Sequence, residues 1–347
     1  MVFENNTRLL ASWAEKGDFG GSHGKEHMVR FAPLTQESDE PERVRILQNL
    51  FNDAIAELET IPLWETGNVP GWKPEIPLQN KPQIAFFPAL DGGTKGCMIV
   101  APGGGYSCKV SSAEGYPIIW RLINAGFHCA LLDYRIKPYS QYRSLQDASR
   151  AIRVIRSRAA ELHVLPDKIG MIGASAGGNL TCLACVHWDH GDPDATDPVE
   201  RISSRPDAGI VMYGCFTAVS WPGSNAFMQM SEDGPDFQLP KGDLVSVYMD
   251  QQRGDRYFFS PEKWVTPETP PFFLWQTTDM DDPRNLFCFA KELADAGVRF
   301  EAHIYPFGPH GMALADGSGV AKGDPHVAHW MEQAIEWLKI YQFRGGK

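Results

Sequence analysis

No stretch of this chain is basic. Lys and Arg total 32 against 43 Asp and Glu, a formal charge of −11. The cations form no run. Such a field repels nucleic acid and other polyanions, so neither is an expected partner. No apolar run approaches the roughly 20 residues that a membrane-spanning helix needs, so no membrane partner is expected either. The opening residues, Met1 to Arg8, lack the charged-then-apolar pattern of a secretory leader, which makes a cytoplasmic location the expectation. Cysteine is sparse: seven, at positions 97, 108, 129, 182, 185, 215 and 288. An odd, scattered set lying mostly in apolar segments reads as reduced core thiols. Cys182-Leu183-Ala184-Cys185 is formally Cys-x-x-Cys, but no thioredoxin-like context surrounds it, so it reads as small buried residues. His187-Trp188-Asp189-His190 lacks a rigid third or fourth ligand, and His23 and His27 stand alone in a polar stretch. No metal and no cofactor are expected. There is no internal repeat and no low-complexity tract.

What is present is a pattern of small residues. Gly173-Ala174-Ser175-Ala176-Gly177 reads Gly-x-Ser-x-Gly. The apolar run Lys168 to Ile172 precedes it, and the small-residue helical stretch Asn179 to Val186 follows. That is a nucleophile elbow in its strand–turn–helix setting: the serine sits on a strained turn, with the next residue's N–H aimed at a developing oxyanion. A second glycine cluster, Pro102-Gly103-Gly104-Gly105-Tyr106, follows the apolar strand Met98 to Ala101. No Gly-Lys-Ser/Thr follows it, which argues against a phosphate loop. Acyl transfer needs two or three N–H donors around the tetrahedral oxygen, and Gly104, Gly105 and Ala176 are the candidates.

A serine hydroxyl needs a histidine to take its proton and a carboxylate to orient that histidine. The expected chain order is Ser, Asp/Glu, His. The strand Pro271 to Gln276 leads into Asp279-Met280-Asp281-Asp282, and the strand Val298 to Tyr305 leads into Pro306-Phe307-Gly308-Pro309-His310. Asp279 comes first after its strand and is the chosen orienter; Asp281 and Asp282 compete with it. His310 is the chosen base. His303 falls within a strand, and His326 and His329 fall in a C-terminal helix.

From about residue 83, apolar strands alternate with amphipathic helices, as an α/β doubly wound, mostly parallel sheet requires. The strands fall at Ile84–Phe87, Cys97–Ala101, Phe127–Tyr134, Ile169–Gly173, Gly209–Tyr213, Phe272–Gln276 and Arg299–Tyr305. The helices fall at Glu114–Ala125, Leu145–Leu162, Leu180–Trp188, Leu286–Ala296 and Val327–Tyr341. Residues 1–60 read as an N-terminal extension outside the core, with an amphipathic helix from Arg43 to Leu58 whose apolar face could pair two copies into a homo-oligomer. Residues 61–347 read as the catalytic domain. Within it the alternation fails over 216–266, which reads as a small cap or lid. Tyr106, Trp221 and Phe227 are candidate pocket residues.

Together, Ile61-Pro62-Leu63-Trp64, Pro102 to Tyr106, Glu114-Gly115-Tyr116-Pro117, Leu132-Asp133-Tyr134-Arg135, Gly173 to Gly177, Asp279 and Pro306 to Gly311 resemble the α/β-hydrolase esterases. The likeness is nearest to acetyl-xylan-esterase-like and feruloyl-esterase-like carboxylesterases related to the hormone-sensitive-lipase group. It implies the α/β-hydrolase fold, a Ser175–His310–Asp279 acyl-enzyme mechanism, and a short acyl group, above all acetyl, on a carbohydrate or other small alcohol. Two features depart from the relatives: Pro102 replaces their usual histidine, and Asp282-Pro283 replaces their Val-Pro. A general carboxylesterase or lipase-like enzyme on apolar esters is the alternative. A serine peptidase or a non-catalytic binding protein of the same fold follows behind.

Overall fold

The computed structural model describes residues 1–16, 58–65, 67–72, 82–137, 139–220, 256–279, 282–317 and 323–345. Eight strands form one sheet: β1 (Thr60–Pro62), β2 (Gln83–Phe87), β3 (Lys95–Ala101), β4 (His128–Asp133), β5 (Val164–Ala174), β6 (Gly209–Met212), β7 (Phe272–Thr277) and β8 (Phe300–Tyr305). Their order is β1-β2-β4-β3-β5-β6-β7-β8. β2 runs antiparallel to both β1 and β4. Every pairing from β4 through β8 is parallel. This is the α/β-hydrolase fold.

The central strands are apolar at nearly every position because both faces are covered. Met98 and Val100 of β3 pack on one face with α3 (Tyr116–Asn124) and α8 (Trp330–Ile340). Cys97, Ile99 and Ala101 point the other way, toward α4 (Gln141–Ser157) and α5 (Ser175–Val186). α6 (Pro283–Asp295) closes the far end over Val211, Phe272 and Leu274. The period of two along the strand divides these residues between the layers.

Three elements differ from the sequence expectation. The first is a helix that helical periodicity did not pick out, α1 (Val2–Lys16). Its Leu10 is fully buried in the core. Asn6 Nδ2 donates to the Phe86 carbonyl (2.9 Å) and the Glu59 carbonyl (3.0 Å), and Asn6 Oδ1 accepts from the Glu59 N–H (3.0 Å). The start of the 1–60 segment is therefore docked on the sheet and not outside the core. Second, β1 adds an edge strand that is too short to show a period. Third, the helix expected over Glu114–Ala125 is α3, and Glu114 instead ends a separate short helix, α2 (Ser111–Glu114), with Gly115 between the two. A Cβ at Gly115 would lie 2.7 Å from the Ser111 carbonyl oxygen. α7 (Pro325–Ala328) precedes α8. The amphipathic helix expected over Arg43–Leu58 lies outside the described residues except for its last one. Among the described residues no helix is long and apolar enough to cross a membrane.

Two histidines are built into the packing, His128 fully buried and His187 partly so. His128 Nδ1 accepts from the Ala89 N–H (2.8 Å), and its Nε2 lies 3.2 Å and 3.1 Å from the Gly93 and His163 carbonyls. His187 stacks on Phe258 at 4.2 Å, with Nε2 2.9 Å from the Phe258 carbonyl. Burial pushes both imidazoles down to about 4. In the unfolded chain both titrate near 6.5. The folded state therefore resists protonation that the unfolded state accepts. Their contribution is full above about pH 6.5 and is lost as pH falls toward 4. Urea unfolding at pH 5 is expected to give a stability lower than at pH 7 by a few kcal/mol, on the order of 1–2 per histidine. Equal midpoints and slopes at the two pH values would contradict this.

Candidate active site

Ser175 stands at the junction of β5 and α5. Its φ is +52°, a left-handed conformation for a residue with a side chain. Such a residue costs of order 1–3 kcal/mol and persists only where its surroundings over-determine it. Here the flanking glycines do so. A Cβ on Gly173 would lie 2.1 Å from the Gly177 carbonyl oxygen, and one on Gly177 would lie 1.9 Å from that of Ala101. The Gly-x-Ser-x-Gly pattern is thus a packing requirement of the turn against β3.

His310 lies on the loop after β8, and its Nε2 is 2.8 Å from Ser175 Oγ. The residues ending β7 hold that loop. Thr277 Oγ1 donates to the Gly308 carbonyl (2.6 Å), and Thr278 Oγ1 donates to that of Pro306 (2.7 Å). Asp279 Oδ2 accepts from the Gly308 N–H (2.9 Å). Its carboxylate therefore sits against the backbone two residues before His310. Asp282 is committed elsewhere: it accepts from the Arg284 N–H at the start of α6 and pairs with the Arg284 side chain. That guanidinium holds the exposed carboxyl below its ordinary range. Asp281 lies outside the described residues. His303 pairs with Glu301 at 2.8 Å, His326 lies edge-on to Tyr305, and His329 caps α8; none of these hydrogen-bonds Ser175.

The loop after β3 turns its carbonyls inward. Ser107 N–H and Cys108 N–H donate to the Gly104 carbonyl (3.0 and 3.1 Å), and Val110 N–H donates to that of Gly103 (3.0 Å). Gly104 and Gly105 have φ of +131° and +61°. Among the described residues no acceptor takes either of their N–H groups. Ala176 is in the first turn of α5, where N–H groups have no partner within the helix and the dipole favours negative charge. A Cβ at Gly103 would lie 2.9 Å from Ser175 Cβ, so the loop and the serine are in direct apposition. Pro102 serves the same loop through its carbonyl, which accepts from Tyr134 Oη (2.6 Å).

The pocket candidates fare differently. Tyr106 is 3% exposed, and its hydroxyl donates to Asn179 Oδ1 (2.8 Å), so it braces the loop from behind. Trp221 and Phe227 lie outside the described residues. Only the two ends of the expected cap are described. They are pinned together by the Ala218 N–H donating to Ser260 Oγ (2.8 Å) and by Thr217 and Ser220 on Glu262.

Sequence reasoning gave no role to Glu114 and Tyr213. Glu114 Oε2 accepts from the Gly103 N–H (2.8 Å), and Oε1 accepts from Tyr213 Oη (3.0 Å). The Tyr213 ring meets the His310 ring at 4.9 Å in an edge arrangement. Glu114-Gly115-Tyr116-Pro117 entered the sequence reading only as part of the resemblance: a Glu opening an expected helix reads as surface, and a Tyr ending a strand reads as core.

Among the described residues no group of three or more His, Cys, Asp or Glu is arranged to hold a metal ion. Asp189, from the segment with a metal-like look, is paired with Arg153. Cys182 and Cys185 are buried, which pushes both thiols well up.

The chain has counterparts among known proteins. The BD-FAE family model matches residues 85–294. Endo-1,4-beta-xylanase B of Butyrivibrio fibrisolvens is 29% identical over 245 residues, covering 68% of this chain and 35% of the relative. The acetylxylan esterase of Xylanibacter ruminicola is 29% identical over 239 residues, covering 67% of this chain and 43% of the relative. This chain thus spans less than half the length of either. The crystal structure of an acetyl ester-xyloside bifunctional hydrolase from Caldicellulosiruptor lactoaceticus superposes with a TM-score of 0.69 at 32% identity, covering 82% of this chain and 97% of that one. With the family model spanning more than half of its length, the chain belongs to the BD-FAE family and carries the α/β-hydrolase fold.

Proposed function

We propose that this protein is a serine carboxylic-ester hydrolase that removes acetyl groups from carbohydrate esters. The observation that carries the reading is the 2.8 Å contact between Ser175 Oγ and His310 Nε2, on an elbow in apposition to the glycine loop after β3. His310 takes the serine proton as Ser175 Oγ attacks the ester carbonyl carbon. The three N–H groups hold the oxygen that becomes negative. Asp279 keeps His310 in the tautomer that accepts at Nε2 and stabilises the imidazolium. His310 then protonates the leaving alcohol, and the acyl-serine forms. Water, deprotonated by His310, releases the acid and restores the serine.

The carbohydrate ester is supported by the relatives whose names concern xylan and acetyl esters. In this reading residues 61–347 form the catalytic unit, with the loop that follows β3 braced from behind by Tyr106.

Acetate release from acetylated xylo-oligosaccharides, with Ser175→Ala as the blank, tests both halves of the proposal. The native enzyme is expected to release acetate and the variant none. Cleavage of p-nitrophenyl esters without release from the oligosaccharide would discard the carbohydrate substrate. It would leave a general carboxylesterase.

A further inference from the structure

We propose that Glu114 is a positioning residue that ties the oxyanion loop to the loop carrying His310. The proposal rests on the reading of Ser175, His310 and the glycine N–H groups given above. Glu114 ends α2 and is 4% exposed. Each of its carboxylate oxygens takes a donor from a different side of the site. Oε2 accepts from the N–H of Gly103, the residue before Gly104. Oε1 accepts from Tyr213 Oη, which itself accepts from the Ala313 N–H at 2.9 Å, three residues past His310. The Tyr213 ring lies against the His310 ring, and the Tyr213 N–H is fixed to the Trp275 carbonyl at 2.7 Å. Tyr213 is held at φ +37°, an uncommon conformation that keeps its ring between Glu114 and His310.

A buried carboxylate is a costly way to fill space, since an apolar side chain of the same volume needs no partners. Its presence here is explained by what it alone offers: two acceptors and no donor, aimed at two donors on separate loops. Oxyanion donors act only within about 0.2 Å of the right distance from the developing charge. Glu114 and Tyr213 set where the Gly104 N–H lies relative to His310. The titratable groups facing Glu114 are Tyr213, His310 and Tyr134. Burial raises the Glu114 carboxyl, while the Gly103 N–H, His310 and Tyr213 pull it back down. As an anion it also favours the charged form of His310 that develops during attack.

The test is steady-state hydrolysis of p-nitrophenyl acetate across pH by the wild type, Glu114→Gln, Tyr213→Phe, the double variant and Ser175→Ala, with a thermal melt of each. Glutamine keeps the shape but presents an NH₂ to one of the two donors. Glu114→Gln is expected to lower kcat about 10–100-fold, with KM within about threefold. Its acidic limb of kcat/KM is expected to move to lower pH, because the carboxylate no longer favours protonated His310. Tyr213→Phe, which removes one hydroxyl and keeps the ring, is expected to lower kcat in the same direction. It carries the test if Glu114→Gln does not fold. The two defects are expected not to multiply in the double variant, since both cut one link. A lower melting temperature with kcat and the acidic limb unmoved would overturn the proposal, as would multiplying defects. If Ser175→Ala is inactive while both variants match the wild type, the positioning role alone falls. If Ser175→Ala keeps its activity, the reading of the site falls and this proposal with it.

Discussion

Ser175→Ala is expected to lower kcat at least 10⁴-fold, and toward 10⁶-fold if no water takes the place of the hydroxyl. In serine hydrolases built on the same three roles, removal of the nucleophile costs on the order of 10⁶ in kcat, and what remains comes from the oxyanion donors and binding. The physical reason lies in the turn. Ser175 is held at φ +52° with its Oγ 2.8 Å from His310 Nε2, so in the proposed mechanism the attacking atom and its base are already aligned. Alanine keeps the backbone and removes the atom to which that mechanism assigns the acyl bond. KM for a short ester is expected to change little, because the glycine donors and the loop braced by Tyr106 remain. His310→Ala is expected to cost a similar factor, since the two side chains act as one unit and their losses do not add. A fluorophosphonate probe supplies the second readout: the wild type is expected to take up one label per chain and Ser175→Ala none. Labelling of the variant, or a kcat within tenfold of the wild type, would remove Ser175 from the mechanism.

The second large effect concerns the carboxylate. Asp279→Asn is expected to lower kcat on the order of 10³–10⁴-fold with KM nearly unchanged, the size of loss seen when an orienting aspartate becomes an amide and the wrong imidazole tautomer is stabilised. Asp279 accepts from the Gly308 N–H at 2.9 Å, which fixes it against the loop that bears His310. An amide could keep that hydrogen bond through its oxygen while losing the charge, so the substitution separates electrostatics from loop anchoring. Asp281→Asn is the necessary comparison, because Asp281 competes for the same role from two residues away. Asp282→Asn is expected to leave kcat within about threefold, because that carboxylate is engaged with Arg284 and the start of α6. A loss of 10³ or more in Asp281→Asn with Asp279→Asn near wild type would move the orienter to Asp281.

The features that were legible in advance are local ones. The elbow could be read because its constraint is carried by residues within five positions: Gly173 and Gly177 are required by contacts a Cβ would violate at 2.1 and 1.9 Å. The strands and most helices could be read because a strand buried on both faces is continuously apolar and a helix buried on one is periodic. β1 escaped notice because three residues carry no period. α1 escaped because what seats it, Asn6 bonded to backbone 53 and 80 residues away together with Leu10 and Phe3 packed on the core, is distant in sequence. The helix expected from Glu114 to Ala125 loses Glu114 to the short helix before it, because Gly115 stands between them at φ −117° and ψ −82°, outside the helical range.

The sequence by itself determined the chemistry that was available: a serine on a forced turn, glycines that can present their N–H groups, and a histidine and carboxylates after later strands in the expected order. Those are short-range patterns, and backbone sterics makes them readable one residue at a time. The tertiary structure alone decided which groups meet. It brought His310 to Ser175 across 135 positions and placed the carboxylate of Glu114 against the hydroxyl of Tyr213, 99 positions away. No local propensity encodes such a pairing. It arises where the sheet order sets the ends of β3, β5, β6, β7 and β8 side by side, and where a buried polar group must find its partner among whatever that order delivers.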